Sequence, residues 1–159
     1  MKPNLKIAAA EAKPKIVTIL GATGSVGRNA LALVEGAREK FQVAVLTGNS
    51  NAKLLAEQAR RVNAACATIA DESKFSELKR ELQGSGIKAM AGQKAIEEAA
   101  TVAADLVISA IVGIAGLKPT LAAIKSGAAV GLANKESLVS SGKFFMEARH
   151  HHQYGWCKT

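Results

Sequence analysis

The chain is poor in cysteine and in aromatic residues, and it has no long apolar run. Its two cysteines, Cys66 and Cys157, are too few for a disulfide framework and favour a reducing compartment. With one tryptophan, one tyrosine and four phenylalanines, and with scattered basic residues, the net charge of +8 favours small anionic ligands over nucleic acid. No stretch is long and apolar enough to span a membrane. Residues 1–14 lack the apolar region of a signal peptide, so we predict a disordered tail on a cytoplasmic protein.

Three glycines, Gly21, Gly24 and Gly27, follow the apolar, β-branched run Ile16–Leu20. Such a run is typical of a strand buried on both faces, and the apolar periodicity after Gly27 indicates a helix. Glycines between a strand and a helix let the backbone approach a pyrophosphate, whose charge the free N–H groups of the helix attract. A turn that only joins the two elements is the alternative. A Walker loop is excluded, because arginine and asparagine follow Gly27 where lysine and a hydroxyl residue are required.

No carboxylate occurs from Phe41 to Leu55, where NAD-binding domains carry one for the ribose 2′-hydroxyl. The strand-like run Phe41–Thr47 leads instead into the amide- and hydroxyl-rich turn Gly48–Asn51, with Lys53 close behind. Such a turn suits a 2′-phosphate, so the sequence predicts NADP rather than NAD. An ordinary solvated turn is the alternative.

Strand and helix patterns alternate along the rest of the chain without an internal repeat. We predict helices at Ala52–Arg61, after Asp71 as cap and through Leu82, at Gln93–Ala100, at Leu117–Ser126 and from about Ser140. We predict strands at Ala64–Ile69, Ile87–Met90, Leu106–Ser109 and Ala128–Leu132. The alternation predicts a single α/β domain, Rossmann-like, with a doubly wound, mostly parallel sheet. Ligands of such sheets lie beyond the carboxyl ends of the strands, so we expect Gly21, Gly48, Ser109–Gly113 and Asn134–Ser137 to line one rim.

Three motifs resemble the amino-terminal domain of the 1-deoxy-D-xylulose 5-phosphate reductoisomerase family: Ile19–Gly27, Ser109–Leu121 and Leu132–Val139. The resemblance implies an NADPH-binding, Rossmann-like domain over residues 15–148. It further implies an oxidoreductase and isomerase of non-mevalonate isoprenoid synthesis, which rearranges and reduces 1-deoxy-D-xylulose 5-phosphate to 2-C-methyl-D-erythritol 4-phosphate. A sugar phosphate substrate, a divalent metal (Mg or Mn) and a homodimeric full-length enzyme are also implied.

The resemblance assigns roles to particular residues. It places the pyrophosphate and nearby sugar of NADPH at Thr23, Gly24, Ser25 and Val26, the adenosine 2′-phosphate at Gly48, Asn49, Ser50 and Asn51, and the rest of the cofactor beside Asn134 and Glu136. It places the sugar phosphate at Lys135, whose ammonium can stabilise charge that develops on oxygen. The alternative is that Lys135 and Glu136 only pair with each other on a surface turn.

The resemblance stops before residues 149–159, which hold all three histidines, the only tyrosine and the only tryptophan. The family continues here into an Asp-Ser-Glu motif that helps to bind the metal. We therefore expect an atypical tail, arising from a frameshift, an early stop or a cloning remnant, with no metal ligands and no complete catalytic site. Consecutive histidines on a loose tail seldom form a metal site.

A second pattern in the tail is interpreted as chance. Tyr154 and Lys158, with Ser141 upstream, match the Tyr-x-x-x-Lys pattern of short-chain dehydrogenases, but Gly155 weakens the helix which that chemistry needs. Two alternative functions stay open on the sequence alone. One is a catalytically silent dinucleotide-binding module, and the other is a short-chain-type reductase or epimerase.

Overall fold

The computed structural model describes residues 13–133. Six strands and five α-helices alternate along them: β1 Lys15–Leu20, α1 Ser25–Glu35, β2 Phe41–Gly48, α2 Ala52–Val62, β3 Cys66–Ile69, α3 Phe75–Glu81, β4 Lys88–Ala91, α4 Gln93–Ala100, β5 Leu106–Ser109, α5 Leu117–Lys125 and β6 Ala129–Leu132. Two 3₁₀ turns, Glu72–Lys74 and Ile114–Gly116, precede α3 and α5. No helix within residues 13–133 is long and apolar enough to cross a membrane.

All the paired strands run parallel, in the order β4-β3-β2-β1-β5-β6. The chain builds outward from β1 to β4 on one side and then crosses to β5 on the other side of β1. The carboxyl ends of β1 and β5 therefore form a topological switch point, which is where open α/β sheets bind their ligands. The predicted α/β sheet is confirmed, and its described strands are parallel throughout.

Helices cover both faces of the sheet. Ile19 of β1 packs in one core with Leu31 of α1 and Leu55 of α2. Its neighbour Leu20 lies in a second core with Ala123 of α5, because successive side chains of a strand point to opposite faces. Ile19, Leu20, Leu31 and Leu55 are fully buried, and each such side chain stabilises the fold by about 1.5–3 kcal/mol relative to exposure. The doubly wound arrangement is thus confirmed.

Many predicted boundaries differ from the structure, and three of the differences have an evident local cause. Helix α1 begins at Ser25, before Gly27, because Gly24 provides its N-cap position. Asp71 caps the 3₁₀ turn ahead of α3, accepting a hydrogen bond of 3.0 Å from the Ser73 N–H. Strand β3 begins only at Cys66, because the preceding residues close α2, with Asn63 in the left-handed conformation at φ 51°. The tails predicted at 1–14 and 149–159 and the helix predicted from Ser140 lie wholly or almost wholly outside the described residues.

Candidate functional site

A cavity of about 300 Å³ lies at the carboxyl ends of the central strands. The glycine loop after β1 lines it from one side, the end of β2 with Asn49 from a second, and Ala110–Val112 after β5 from a third. The cavity therefore occupies the switch point between β1 and β5. The rim expected from the sequence is present at Gly21, Gly48 and Ala110–Val112, whereas Asn134–Ser137 lie outside the described residues.

The three glycines of the loop have three different tasks. Gly21 has φ +83°, and a Cβ there would lie 3.0 Å from the backbone of Ala110, so glycine permits both the turn and its approach to β5. A Cβ on Gly27 would lie 2.0 Å from the Gly21 carbonyl oxygen, so this glycine packs helix against loop. Gly24 is exposed, lines the cavity, and has no atom closer to such a Cβ than 3.5 Å. The space above Gly24 is thus the space open to a ligand.

Hydrogen bonds from outside the loop hold it in place. The Gly21 N–H donates to Thr47 Oγ1 at 2.9 Å, and the Ala22 N–H donates to the Thr47 carbonyl oxygen at 2.7 Å. The buried Gln58 of α2 donates from Nε2 to the Ala22 carbonyl oxygen at 3.0 Å. Sequence inspection missed both Thr47 and Gln58. Gln58 carried a signal, because it interrupts the apolar face of α2 next to Leu55.

The amino terminus of α1 is open to an anion. Its cap residue, Gly24, makes no side-chain capping hydrogen bond, and the first turn carries no acidic residue. The first intrahelical bond is donated by Arg28 to the Gly24 carbonyl oxygen at 2.9 Å. The N–H groups of Ser25 and Val26 lie ahead of that bond, and both residues are exposed. Free N–H groups and the positive end of the helix dipole suit a phosphate group.

The turn after β2 lies directly beside the glycine loop. A Cβ on Gly48 would lie 3.1 Å from Cγ2 of Thr23, so the two segments touch. Asn49 lines the cavity, and Ser50 is exposed. Asn51 caps α2, its Oδ1 accepting a 3.1 Å hydrogen bond from the Leu54 N–H. The side-chain amide nitrogen of Asn51 keeps its donor hydrogens, which suit a phosphate.

A carboxylate also approaches this turn through the fold. The Asp71 N–H donates to the Asn49 carbonyl oxygen at 2.9 Å, which brings Asp71 next to the turn although it lies outside the window Phe41–Leu55. Its Oδ1 already accepts hydrogen bonds from the N–H and the hydroxyl of Ser73, at 3.0 and 2.7 Å. The topology thus adds an acidic neighbour that the sequence alone did not indicate. One oxygen of this carboxylate, Oδ1, is engaged in capping the 3₁₀ turn.

The described residues provide no nucleophile or metal centre at the cavity. Burial raises the pKa of the Cys66 thiol above its ordinary value, against smaller lowering effects of the Thr68 hydrogen bond and the Lys88 charge, and so disfavours the thiolate. Residues 13–133 contain no cluster of three or more His, Cys, Asp or Glu side chains that could hold a metal ion. Asn134, Lys135 and Glu136 lie outside this part of the chain.

The fold and the cavity define a Rossmann-like nucleotide-binding domain, with a glycine loop and a free helix terminus at the switch point of a parallel sheet. The sequence profile of 1-deoxy-D-xylulose 5-phosphate reductoisomerase matches residues 17–142. The chain belongs to that family. The match excludes the short-chain-type reductase or epimerase considered from the sequence.

Curated relatives and solved structures agree with this assignment. The 1-deoxy-D-xylulose 5-phosphate reductoisomerase of Rhizobium meliloti (strain 1021) is 54% identical over 134 residues, which are 83% of this chain and 34% of that protein. A solved structure of the enzyme from Zymomonas mobilis in complex with NADPH has a TM-score of 0.86 and 50% identity, covering 89% of this chain and 37% of its own. Another, in complex with NADPH, fosmidomycin and magnesium, has a TM-score of 0.81 and 32% identity, covering 87% of this chain and 34% of its own. The chain thus spans about a third of the length of these relatives.

Proposed function

We propose that this chain is the NADPH-binding part of a 1-deoxy-D-xylulose 5-phosphate reductoisomerase. The reaction proposed for the whole enzyme is the rearrangement and reduction of 1-deoxy-D-xylulose 5-phosphate to 2-C-methyl-D-erythritol 4-phosphate. One observation carries the proposal. The glycine loop is held by hydrogen bonds to Thr47 and Gln58 and leaves open space above Gly24, in a chain 50% identical to an enzyme solved with NADPH.

The binding roles follow the two segments that touch at the cavity. Thr23, Gly24, Ser25 and Val26 bind the pyrophosphate, because the free N–H groups at the start of α1 attract its charge. The turn Gly48–Asn51 binds the 2′-phosphate, with the side-chain amide of Asn51 as a donor and the exposed Lys53 as the nearest cation in sequence. The cap made by Asn51 Oδ1 fixes which end of its amide faces away from the helix.

The chemical step is proposed from the sequence motif and the family. Bound NADPH supplies the hydride for the reduction. Lys135 is proposed to hold the sugar phosphate, and Asn134 and Glu136 to flank the cofactor. Magnesium or manganese is part of the proposed reaction of the whole enzyme, and residues 13–133 do not offer a ligand set for it. Homodimeric assembly and a cytoplasmic location complete the proposal.

Calorimetric titration of the purified chain with NADPH and with NADH tests the cofactor assignment. We expect NADPH to bind at least about tenfold more tightly, which corresponds to about 1.4 kcal/mol from contacts with the 2′-phosphate. Lys53→Met should reduce this preference, whereas Lys79→Met, in the last turn of α3 and outside the cavity lining, should leave it unchanged. Equal affinities for the two cofactors, or tighter binding of NADH, would show that the turn does not select for the 2′-phosphate.

A further inference from the structure

We infer that Gln58 is a positioning residue for the cofactor: it fixes the Ala22–Thr23 peptide so that the Thr23 N–H faces the pyrophosphate. The inference rests on the proposed binding of NADPH. It concerns a side chain that lies behind the glycine loop, with only 2% of its surface exposed, and has no direct access to the cavity.

The geometry of the loop singles out this one peptide. The Gly24 N–H donates to the Gly21 carbonyl oxygen at 3.2 Å, which closes a β-turn with Ala22 and Thr23 in its centre. The central peptide of a β-turn is the one whose orientation differs between type I and type II turns. Here the Ala22 carbonyl oxygen accepts the 3.0 Å hydrogen bond from Gln58 Nε2, so the carbonyl points back towards α2.

Because the Ala22–Thr23 peptide is trans, the hydrogen bond to its carbonyl oxygen also fixes the direction of its N–H. There are no cis peptide bonds among the described residues, and in a trans peptide C=O and N–H point in opposite directions. With the Ala22 carbonyl directed towards α2, the Thr23 N–H is directed away from it, on the side of the cavity that Thr23 and Gly24 line. Within residues 13–133 the Thr23 N–H donates no hydrogen bond. It is therefore a donor aimed outward and available to an anion.

The rest of the Gln58 side chain argues against a purely structural role. Its Oε1 is buried and has no hydrogen-bond partner among the described groups. Leaving a buried acceptor unpaired is unfavourable, and an apolar side chain of similar size would fill the same buried position on α2 without that penalty. If Nε2 and Oε1 exchanged places, two acceptors, Oε1 and the Ala22 carbonyl oxygen, would face each other. The hydrogen bond donated by Nε2 therefore defines the orientation of the Gln58 amide. The loop, and not the core, is what gains from a glutamine at this position.

The variant Gln58→Met tests the inference, with Gln42→Met on the exposed start of β2 as the matched control. We expect Gln58→Met to bind NADPH about five- to tenfold more weakly than wild type, the usual effect of one lost hydrogen bond. Both variants should bind 2′-AMP like wild type, because 2′-AMP carries the adenosine 2′-phosphate and no pyrophosphate. A merely structural role would weaken both ligands together or neither. Unchanged NADPH affinity, or equal losses for the two ligands, overturns the inference.

A second measurement uses the wild-type chain and so does not depend on how the variant folds. In ¹⁵N-resolved NMR spectra we expect the Gln58 side-chain amide to be protected from hydrogen exchange. We expect the Thr23 amide to shift on addition of NADPH, and by more than on addition of 2′-AMP. Rapid exchange of the Gln58 amide, or a Thr23 signal that NADPH does not move, overturns the inference. Failure of wild type to bind NADPH at all would instead contradict the proposed function.

Discussion

At the scale of single residues, the glycine loop separates positions that serve the ligand from positions that serve the fold. A side chain at Gly24 would meet no atom of the protein within 3.5 Å and would project into the space proposed for the pyrophosphate. Its backbone, at φ −74° and ψ 168°, is open to any residue. A side chain at Gly27, by contrast, would collide with the backbone of Gly21. Two glycines in one motif therefore carry opposite consequences.

We expect Gly24→Val to abolish NADPH binding while changing the midpoint of thermal unfolding by only a few degrees. Gly27→Ala, in contrast, should lower the free energy of unfolding by about 1–3 kcal/mol, because the methyl group forces helix α1 away from the loop. Calorimetric titration measures the first effect and urea unfolding the second. Tight NADPH binding by Gly24→Val would show that the cofactor does not occupy this part of the cavity.

A contact of a single residue can be predicted from the sequence when its two partners lie close together along the chain. The glycine spacing was visible, since all three glycines lie within residues 21–27. The contacts of Thr47 and Gln58 with the loop were not, because they join positions 26 and 36 residues apart and depend on how β2 and α2 pack against β1. The proximity of Asp71 to Asn49 is of the same kind. Only the polar interruption of an apolar helix face gave a hint of Gln58.

At the scale of elements, a buried chain of hydroxyl groups fastens the segment after β5 to α5. Ser109 Oγ lies 2.7 Å from Thr120 Oγ1, and the Thr120 hydroxyl donates to the Gly116 carbonyl oxygen at 2.6 Å. Since that donor is used, Ser109 donates to Thr120. Ser109 and Thr120 are nearly fully buried. The two hydrogen bonds link Ser109 and Gly116 through Thr120. They therefore hold both ends of the segment whose residues Ala110–Val112 form one wall of the cavity.

Replacing Thr120 by valine should therefore destabilise the fold. Valine has nearly the same volume but leaves the Ser109 hydroxyl buried without an acceptor, which costs about 1–3 kcal/mol. Thr120→Ser keeps the hydroxyl and serves as the control, with a smaller loss from the missing methyl group. Urea unfolding of the three proteins measures the difference. If Thr120→Val were as stable as wild type, the hydroxyl chain would contribute nothing to holding this wall.

The order of elements was predictable because each strand and helix buries an apolar pattern of its own period. Strand β5 and helix α4 have the predicted bounds, and the other elements differ from prediction mainly at their ends. The ends depend on local competition that the apolar period does not report. Helix α1 starts early because Gly24 serves as its cap, and β3 starts late because Asn63 closes α2. The strand order, which places the cavity between β1 and β5, was not predicted. The general behaviour of parallel sheets predicted only that a ligand lies beyond the carboxyl ends of the strands.

At the scale of the whole molecule, a ligand that binds only the folded chain must also stabilise it. At a free concentration 100 times its dissociation constant, NADPH adds about 2.7 kcal/mol to the free energy of unfolding. The proposed NADPH binding is therefore expected to raise the stability of this chain by a measurable amount without the rest of the enzyme. The proposed cofactor binding should be separable from turnover, because the described residues contain the cavity proposed for the nucleotide and the chain covers only 34% of the Rhizobium meliloti enzyme.

We expect a polypeptide of these 159 residues to bind NADPH without oxidising it when 1-deoxy-D-xylulose 5-phosphate and magnesium or manganese are supplied. The described residues contain no ligand cluster for the metal, and metal-assisted catalysis needs ligands fixed around the ion.

A chimera should behave differently: the matched region to residue 142, continued by the remainder of the Zymomonas mobilis enzyme, should oxidise NADPH with this substrate. In the chimera, Lys135→Ala should impair sugar-phosphate turnover and leave NADPH affinity nearly unchanged. Absorbance of NADPH follows each reaction. Sustained turnover by the 159 residues alone would show that they hold a complete catalytic site, and an inactive chimera would contradict the function proposed for this domain.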